Sequence, residues 1–161
     1  MSTLMYLKNF MKDRYVASIT PTSPFGVRSV CGKIDFGRSD VIVEYGAGTG
    51  VFTRHLLHNM PPSARLIVIE RNPEFNSILQ GKFRDPRVAI VNDSAENVLE
   101  TLKQYDVCQV DCVISGIPFL WLGHDIKHKI LCNTHRILKD QGKFLAYQTF
   151  FQTSKDLKVH M

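Results

Sequence analysis

The sequence predicts an α/β domain built on a doubly wound, mostly parallel sheet. Three observations predict it. From Asp40 onward short apolar runs alternate with amphipathic ones. The first apolar run empties into a glycine-rich turn, Gly46-Ala47-Gly48-Thr49-Gly50. Acidic residues then stand at or beside the ends of three successive runs, at Glu44, Glu70 and Asp93. At 161 residues the chain is long enough for one core and too short for two.

Residues 4–16 read as an amphipathic helix. Leu4, Leu7, Met11 and Tyr15 recur at helical spacing with Tyr6 and Phe10 alongside, and Lys8, Asn9, Lys12 and Asp13 lie opposite. The stretch Thr20-Pro21-Thr22-Ser23-Pro24 breaks that helix, and Ser23 before Pro24 supplies an N-cap and first-turn pair for a second one ending before Gly32. Residues 1–39 are therefore expected as an N-terminal helix and cap segment, and residues 40–161 as the ligand-binding domain, in one structural unit.

Val41–Tyr45 then reads as a strand, and Val51–Met60 as a helix stopped by Pro61-Pro62. Leu66–Glu70 is a strand, Pro73–Phe83 a helix entered through Asn72, Val88–Asn92 a strand, and Ala95–Gln104 a helix. Val110–Ser115 is a strand, followed by a loop through Leu122, a helix to Lys139, a Gln141-Gly142 turn and a strand over Lys143–Phe150. Five strands alternating with four helices call for right-handed crossovers and helices on both faces. Ligands are expected beyond the carboxyl ends of the strands. After Phe150 only residues 151–161 remain, fewer than another crossover of a dozen or more residues needs. The fifth strand should then be an open edge, with Phe144, Ala146, Phe150 and Phe151 short of cover, so that the chain is expected either to be a truncated form of a longer protein or to cover the edge with another subunit or a bilayer.

Composition excludes several classes. With 44% hydrophobic and 22% charged residues, the chain is neither disordered, collagen-like nor a disulfide miniprotein. No apolar run reaches the roughly 18 residues of a membrane-spanning helix, and no secretory signal is expected. Twenty Lys and Arg against fifteen Asp and Glu leave a net charge of +5, which favours anionic partners, phosphate backbones or acidic headgroups. Cys31, Cys108, Cys112 and Cys132 form no C-x-x-C pair and are expected as free, mostly buried thiols of a reducing cytoplasm. His124, His128, Cys132 and His135 fall on one side of the helix over Asp125 to Leu138, opposite Ile126, Ile130, Thr134 and Ile137. That side is expected to be solvated, and no metal site is expected.

The chemistry is concentrated at the strand ends. Glu44 is followed by G-x-G-x-G at Gly46, Gly48 and Gly50. A dinucleotide fingerprint would need glycine where Val51 stands, and a P-loop would need Lys-Ser/Thr where Val51-Phe52 stands. A carboxylate beside a helix N-terminus is poor company for pyrophosphate and suits a cationic, amino-acid-bearing ligand; the plain alternative is a tight strand-to-helix turn. Glu70 can accept hydrogen bonds from both ribose hydroxyls, or cap the next helix, which Asn72 could do instead. Asp93 is equally placed to bind an adenine amine or to cap the helix after it.

The fourth strand ends in Asp111-Cys112-Val113-Ile114-Ser115-Gly116-Ile117-Pro118-Phe119, and at this point the ordered set resembles a class I S-adenosylmethionine-dependent methyltransferase, with a Rossmann-like fold. The turn after strand four corresponds to that family's Asn-Pro-Pro-Tyr-type motif. More closely, the chain is similar to the bacterial phospholipid N-methyltransferases, relatives of the rRNA adenine dimethyltransferases. The resemblance is carried by residues 17–24, residues 43–53 around the glycine turn, Ile69-Glu70-Arg71-Asn72-Pro73-Glu74-Phe75 and Ser115-Gly116-Ile117-Pro118. It covers roughly residues 5–150.

The resemblance implies S-adenosylmethionine as cofactor, held by Glu44, Gly46, Gly48, Gly50, Glu70, Arg71, Asp93, Ser94 and Ser115. It implies Ser115, Gly116, Ile117, Pro118 and Phe119 as the loop lining the methyl-transfer site. It further implies a phospholipid amine, of the phosphatidylethanolamine type, as acceptor at an anionic membrane surface on the cytoplasmic side. Enzymes that methylate base amines usually carry Asn or Asp where Ser115 stands, so nucleic acid is the less favoured partner. An RNA adenine methyltransferase and a cofactor-binding module without catalysis are the rival readings. His124 and Asp125 are candidate bases by position, and Tyr15 or Tyr147 could orient the amine. Lys8, Lys12 and Arg14 beside the apolar side of the first helix suit an interfacial contact. A homo-oligomer through the fifth-strand edge completes the expected partners.

Overall fold

A computed structural model describes residues 24–147. The helix expected over residues 4–16, with Tyr15, Lys8, Lys12 and Arg14, lies outside the described residues, as do Phe150 and Phe151. The first described element is α1, Pro24–Cys31, ending before Gly32 as expected. It leads through a 3-10 turn over Phe36–Arg38 into β1, Val41–Tyr45. There follow α2 (Val51–Asn59), β2 (Arg65–Ile69), α3 (Pro73–Lys82) and β3 (Val88–Val91). Then come α4 (Val98–Lys103), β4 (Val110–Ser115), α5 (His124–Ile137) and β5 (Leu138–Ala146).

The five strands form one parallel sheet in the order β3-β2-β1-β4-β5. Side chains of successive strand residues point to opposite faces, so each strand feeds two cores. Ile42, Leu66, Val68, Cys112 and Ile114 pack with Val27 and Cys31 of α1, Phe52 and Leu56 of α2 and Leu79 of α3. Val43, Tyr45, Ile67, Ile69 and Val113 pack on the other face with Val98 and Leu102 of α4 and Ile130 and Ile137 of α5. Each such side chain contributes about 1.5–3 kcal/mol by leaving water. The sheet is thus doubly wound, with β1 central and the chain reversing direction between β1 and β4.

Several boundaries differ from the sequence reading, some for a local reason and some for a long-range one. β2 starts at Arg65, because its N–H donates to the Asp40 carbonyl at 2.8 Å and its Cα pairs with Val41. The helix expected over Ala95–Gln104 is a 3-10 turn, Ala95–Asn97, followed by α4; Val98 N–H bonds back three residues to the Ala95 carbonyl. α5 stops at Ile137 because Leu138 already pairs with Val110, and the Lys139 ammonium lies 2.7 Å from Asp111 Oδ1. The expected Gln141-Gly142 turn is a bulge inside β5: Gln141 adopts φ 67°, and the register slips so that Cys112 faces Lys143.

Asp111 fastens the amino end of the sheet. Its Oδ2 accepts the N–H groups of Asp40 and Val41, both at 2.9 Å. Partial burial works to raise its pKa, but the Lys139 hydrogen bond and these two amides outweigh it and hold the carboxyl below its ordinary range. All four cysteines are free. Cys31 and Cys112 are buried, their thiols pushed up to about 12 chiefly by that burial, whereas Cys108 and Cys132 are exposed, so the buried thiols are half of the set. The His/Cys side of α5 is solvated as expected, with Cys132 Sγ 3.6 Å from His128 Nε2. Among the described residues no group of three metal-ligating side chains converges, and no helix is long and apolar enough to cross a membrane.

Candidate active site

The crevice opens where β1 meets β4, at the carboxyl ends of the strands. The loop leaving β1 turns sharply because Gly46, Gly48 and Gly50 have φ of 65°, 55° and 79°. A side chain in that left-handed region costs roughly 1–2 kcal/mol. At Gly50 a Cβ would also run into Phe83 and lie 2.8 Å from Leu79, so α2 can start there only from glycine. Gly46 N–H donates to the Ile69 carbonyl at 2.9 Å, and Gly116 N–H to the Tyr45 carbonyl at 2.9 Å. A Cβ on Gly116 would stand 2.8 Å from the Gly46 carbonyl oxygen, and one on Gly46 would stand 3.1 Å from Ile117 Cγ1. The loops after β1 and β4 therefore touch backbone to backbone.

Glu44 lies under this loop, only 1% exposed. Thr53, in the first turn of α2, donates its hydroxyl to Glu44 Oε2 at 2.7 Å, while Oε1 has no hydrogen-bond partner. Burial pushes the carboxyl up to about 8, with the Thr53 bond opposing and the Glu70 charge adding to it. A buried carboxyl oxygen left without a partner is an electrostatic seat for a cation.

Glu70 is also buried, and it ties two loops together. Its Oε2 accepts Gly48 N–H at 2.9 Å and its Oε1 accepts Asn72 N–H at 2.8 Å. Helix capping falls to Asn72, whose side chain accepts from Glu74 N–H and Phe75 N–H. Asn92 donates to the carbonyls of Glu70 and Arg71, at 2.8 and 3.0 Å, locking the ends of β2 and β3 together, and the Arg71 side chain is exposed.

Asp93 Oδ1 accepts Ser94 N–H at 2.7 Å and the Asn97 side-chain amide at 2.8 Å, and its Oδ2 lies 3.4 Å from Thr101 Oγ1. The cap of the following turn is Ser94, whose hydroxyl accepts Glu96 N–H. Asp93 thus organises this loop with one oxygen lightly used. Ser115 is fully buried. Its hydroxyl accepts Ile117 N–H at 3.2 Å and its carbonyl accepts Tyr147 N–H at 2.8 Å. The structure therefore brings Ser115, Gly116 and Ile117 against Gly46. Pro118 opens a 3-10 turn over Phe119–Trp121, and Phe119 is buried edge-on to Phe144, with ring centroids 5.9 Å apart.

Tyr147 stands beside Ser115. Its ring fills the space a side chain on Gly26 would need and meets Phe52 edge-on at 5.6 Å. His124 and Asp125 are fully solvated and lie 3.6 Å from each other. Sequence reasoning missed three contributors: Thr53, Asn92 and Lys82, whose ammonium donates to the Thr49 carbonyl at 2.6 Å. A hydroxyl in the helix turn directly after the glycine loop was the available signal for Thr53.

Comparison with known proteins agrees with this geometry. A family described as a methyltransferase domain matches residues 42–142. Ornithine lipid N-methyltransferase of Singulisphaera acidiphila is 28% identical over 157 residues, covering 92% of this chain and 82% of that protein. Among solved structures, mitomycin 7-O-methyltransferase MmcR superposes with a TM-score of 0.65 at 18% identity, over 95% of this chain and 44% of its own. StiE O-MT gives 0.62 at 13% identity, over 76% and 42%. The chain spans under half the length of these two structures, and the likeness to them is one of fold.

Proposed function

Because the chain belongs to the methyltransferase-domain family, whose methyl donor is S-adenosylmethionine, we propose that it methylates the amine nitrogen of a lipid headgroup of the phosphatidylethanolamine type. The acceptor would be met at an anionic membrane surface on the cytoplasmic side. The observation that carries this reading is the similarity, over nearly the whole chain, to an N-methyltransferase named for a lipid. The site supports it. A methyltransferase of base amines needs a free side-chain acceptor at the start of the fourth-strand loop. Here that position is Ser115, buried and already accepting from Ile117 N–H.

The residues present fit the cofactor. The unpartnered Glu44 oxygen suits a cationic group, the Glu70 carboxylate directly after β2 suits ribose hydroxyls, and the Gly46–Gly50 turn permits close approach of backbone. Glu44, Gly46, Gly48, Gly50, Glu70, Arg71, Asp93 and Ser94 would hold it. When bound, it supplies an electrophilic methyl on a sulfonium. Transfer to nitrogen is an in-line displacement, so the chain's part is to hold the amine uncharged and in line. Ser115 to Phe119 shape that side of the crevice.

The test is incubation with labelled S-adenosylmethionine and a mixture of extracted lipids and RNA, followed by chromatography of the products. Label is expected in an amine-headgroup lipid. Label confined to RNA, or absent from both, would overturn the reading.

A further inference from the structure

We propose that the concave basic surface between α2 and the segment joining α3 to β3 is the face by which this protein docks on an anionic bilayer. The proposal rests on the lipid reading above and adds to it the surface that meets the membrane. The concavity is open and holds about 510 Å³, and Arg54, His58, Lys82 and Arg84 rim it, all exposed. Its acid, Asp85, is already engaged: Arg87 grips it with two side-chain hydrogen bonds, at 3.0 and 2.7 Å, and uses its remaining donors on the carbonyls of Leu57, Met60 and Pro61. Arg54, Lys82 and Arg84 are left with no acid across the groove among the residues that line it.

The crowding of like charge registers in the groups themselves. Partial burial and then the Arg54 charge lower the Lys82 pKa; burial, then His58 and Arg28, lower that of His55. The basic surface thus runs on from α2 to Arg28 of α1. On α1, three residues before Arg28 and so on the same helix side, Phe25 exposes 77% of its surface. An exposed aromatic beside a row of bases is the composition of an interfacial contact, apolar ring at the acyl boundary and cations among phosphates. Nucleic acid fits less well. Phe83, the groove's aromatic, already carries the Lys82 ammonium 5.4 Å from its ring centroid, so that face is not offered to a stacking base. Lys82 also holds the Thr49 carbonyl at 2.6 Å, so the docking surface is joined to the glycine loop of the site.

The experiment uses the full chain and compares sedimentation with vesicles of phosphatidylcholine alone and vesicles that also contain phosphatidylglycerol. The intact protein is expected to bind the anionic vesicles, and less as salt is added. A double variant, Arg54→Gln with Arg84→Gln, should lower that partition about thirtyfold, since each base near such a surface contributes about fivefold. Arg54→Lys with Arg84→Lys, which keeps both charges, should bind as the parent does. Both variants should bind S-adenosylhomocysteine normally and methylate lipid dispersed in detergent at the parental rate. A Gln variant that sediments like the parent, equal binding to neutral vesicles, or loss confined to RNA binding would overturn the proposal. If the parent docks and the Gln variant does not, while neither methylates dispersed lipid, the docking face stands and the lipid-acceptor reading fails.

Discussion

Glu44 is a carboxyl held out of water with one oxygen bonded to Thr53 and the other to nothing. In an unfolded chain it ionises near its ordinary 4.5, and in the folded one near 8. The folded state therefore binds this proton more tightly, so the associated stability is complete below about 4.5 and is lost as pH rises through 8. The slope is on the order of 1.4 kcal/mol per pH unit inside that window. Urea titrations at several pH values across the window should show the parent losing stability and Glu44→Gln losing less. Parallel pH profiles for the two proteins would mean that Glu44 is ionised in the fold. A cation in the site would favour the ionised form, so binding of S-adenosylhomocysteine, which carries an ammonium, should release protons. Calorimetry in buffers of different ionisation heat reads that release directly.

The site depends at the next scale on two loops kept in backbone contact. Gly116→Ala would put a Cβ 2.8 Å from the Gly46 carbonyl oxygen, and neither backbone has a flexible end that can swing away. Overpacking of this kind costs roughly 1–3 kcal/mol, and here the strain falls on the crevice. Binding of S-adenosylhomocysteine is expected to weaken about tenfold or more, the equivalent of about 1.4 kcal/mol. Gly81→Ala, in α3 with nothing within 4 Å of its added Cβ, is the matched control. It should raise stability by roughly 0.5–1 kcal/mol and leave binding alone. Normal affinity in Gly116→Ala would show that the loops can separate freely. The bounds of β1 and β4 were legible because each is an apolar run ended by its own turn residues. The α5–β5 boundary was not, because Leu138 is claimed by Val110 and Lys139 by Asp111, partners more than twenty residues away in sequence.

For the whole molecule, the site and the fold share one stability. Glu44, Gly46, Glu70 and Ser115 lie on the three central strands or their loops, so a ligand that binds them holds the sheet together. At a hundred times its Kd, S-adenosylhomocysteine should add about 2.7 kcal/mol. For a domain of this size that raises Tm by roughly 5–10 °C. Glu70→Ala, which loses the carboxylate bridging Gly48 and Asn72, should abolish most of that shift. A ligand-induced shift unchanged by the substitution would remove Glu70 from the site. Among the described residues β5 pairs with β4 alone, with Lys139 turned to Asp111 and the Lys143 ammonium donating to the Lys33 carbonyl at 2.7 Å.

The order of elements, the doubly wound sheet, the glycine turn after Val41–Tyr45 and the acidic residues at the strand ends were determined by the sequence itself. These follow from hydrophobic period, turn chemistry and caps, which act over a few residues and leave a local trace. Tertiary structure alone raised the proton affinity of Glu44, because that affinity depends on how completely the surrounding elements exclude water from it. It alone set the Ser115 hydroxyl against the Ile117 N–H and Gly116 against Gly46. It alone gathered Arg54, Lys82 and Arg84 around one groove, since α2 and α3 become neighbours only when β1, β2 and β3 line up in the sheet. Desolvation and packing are set by groups far apart along the chain, and no local pattern records them.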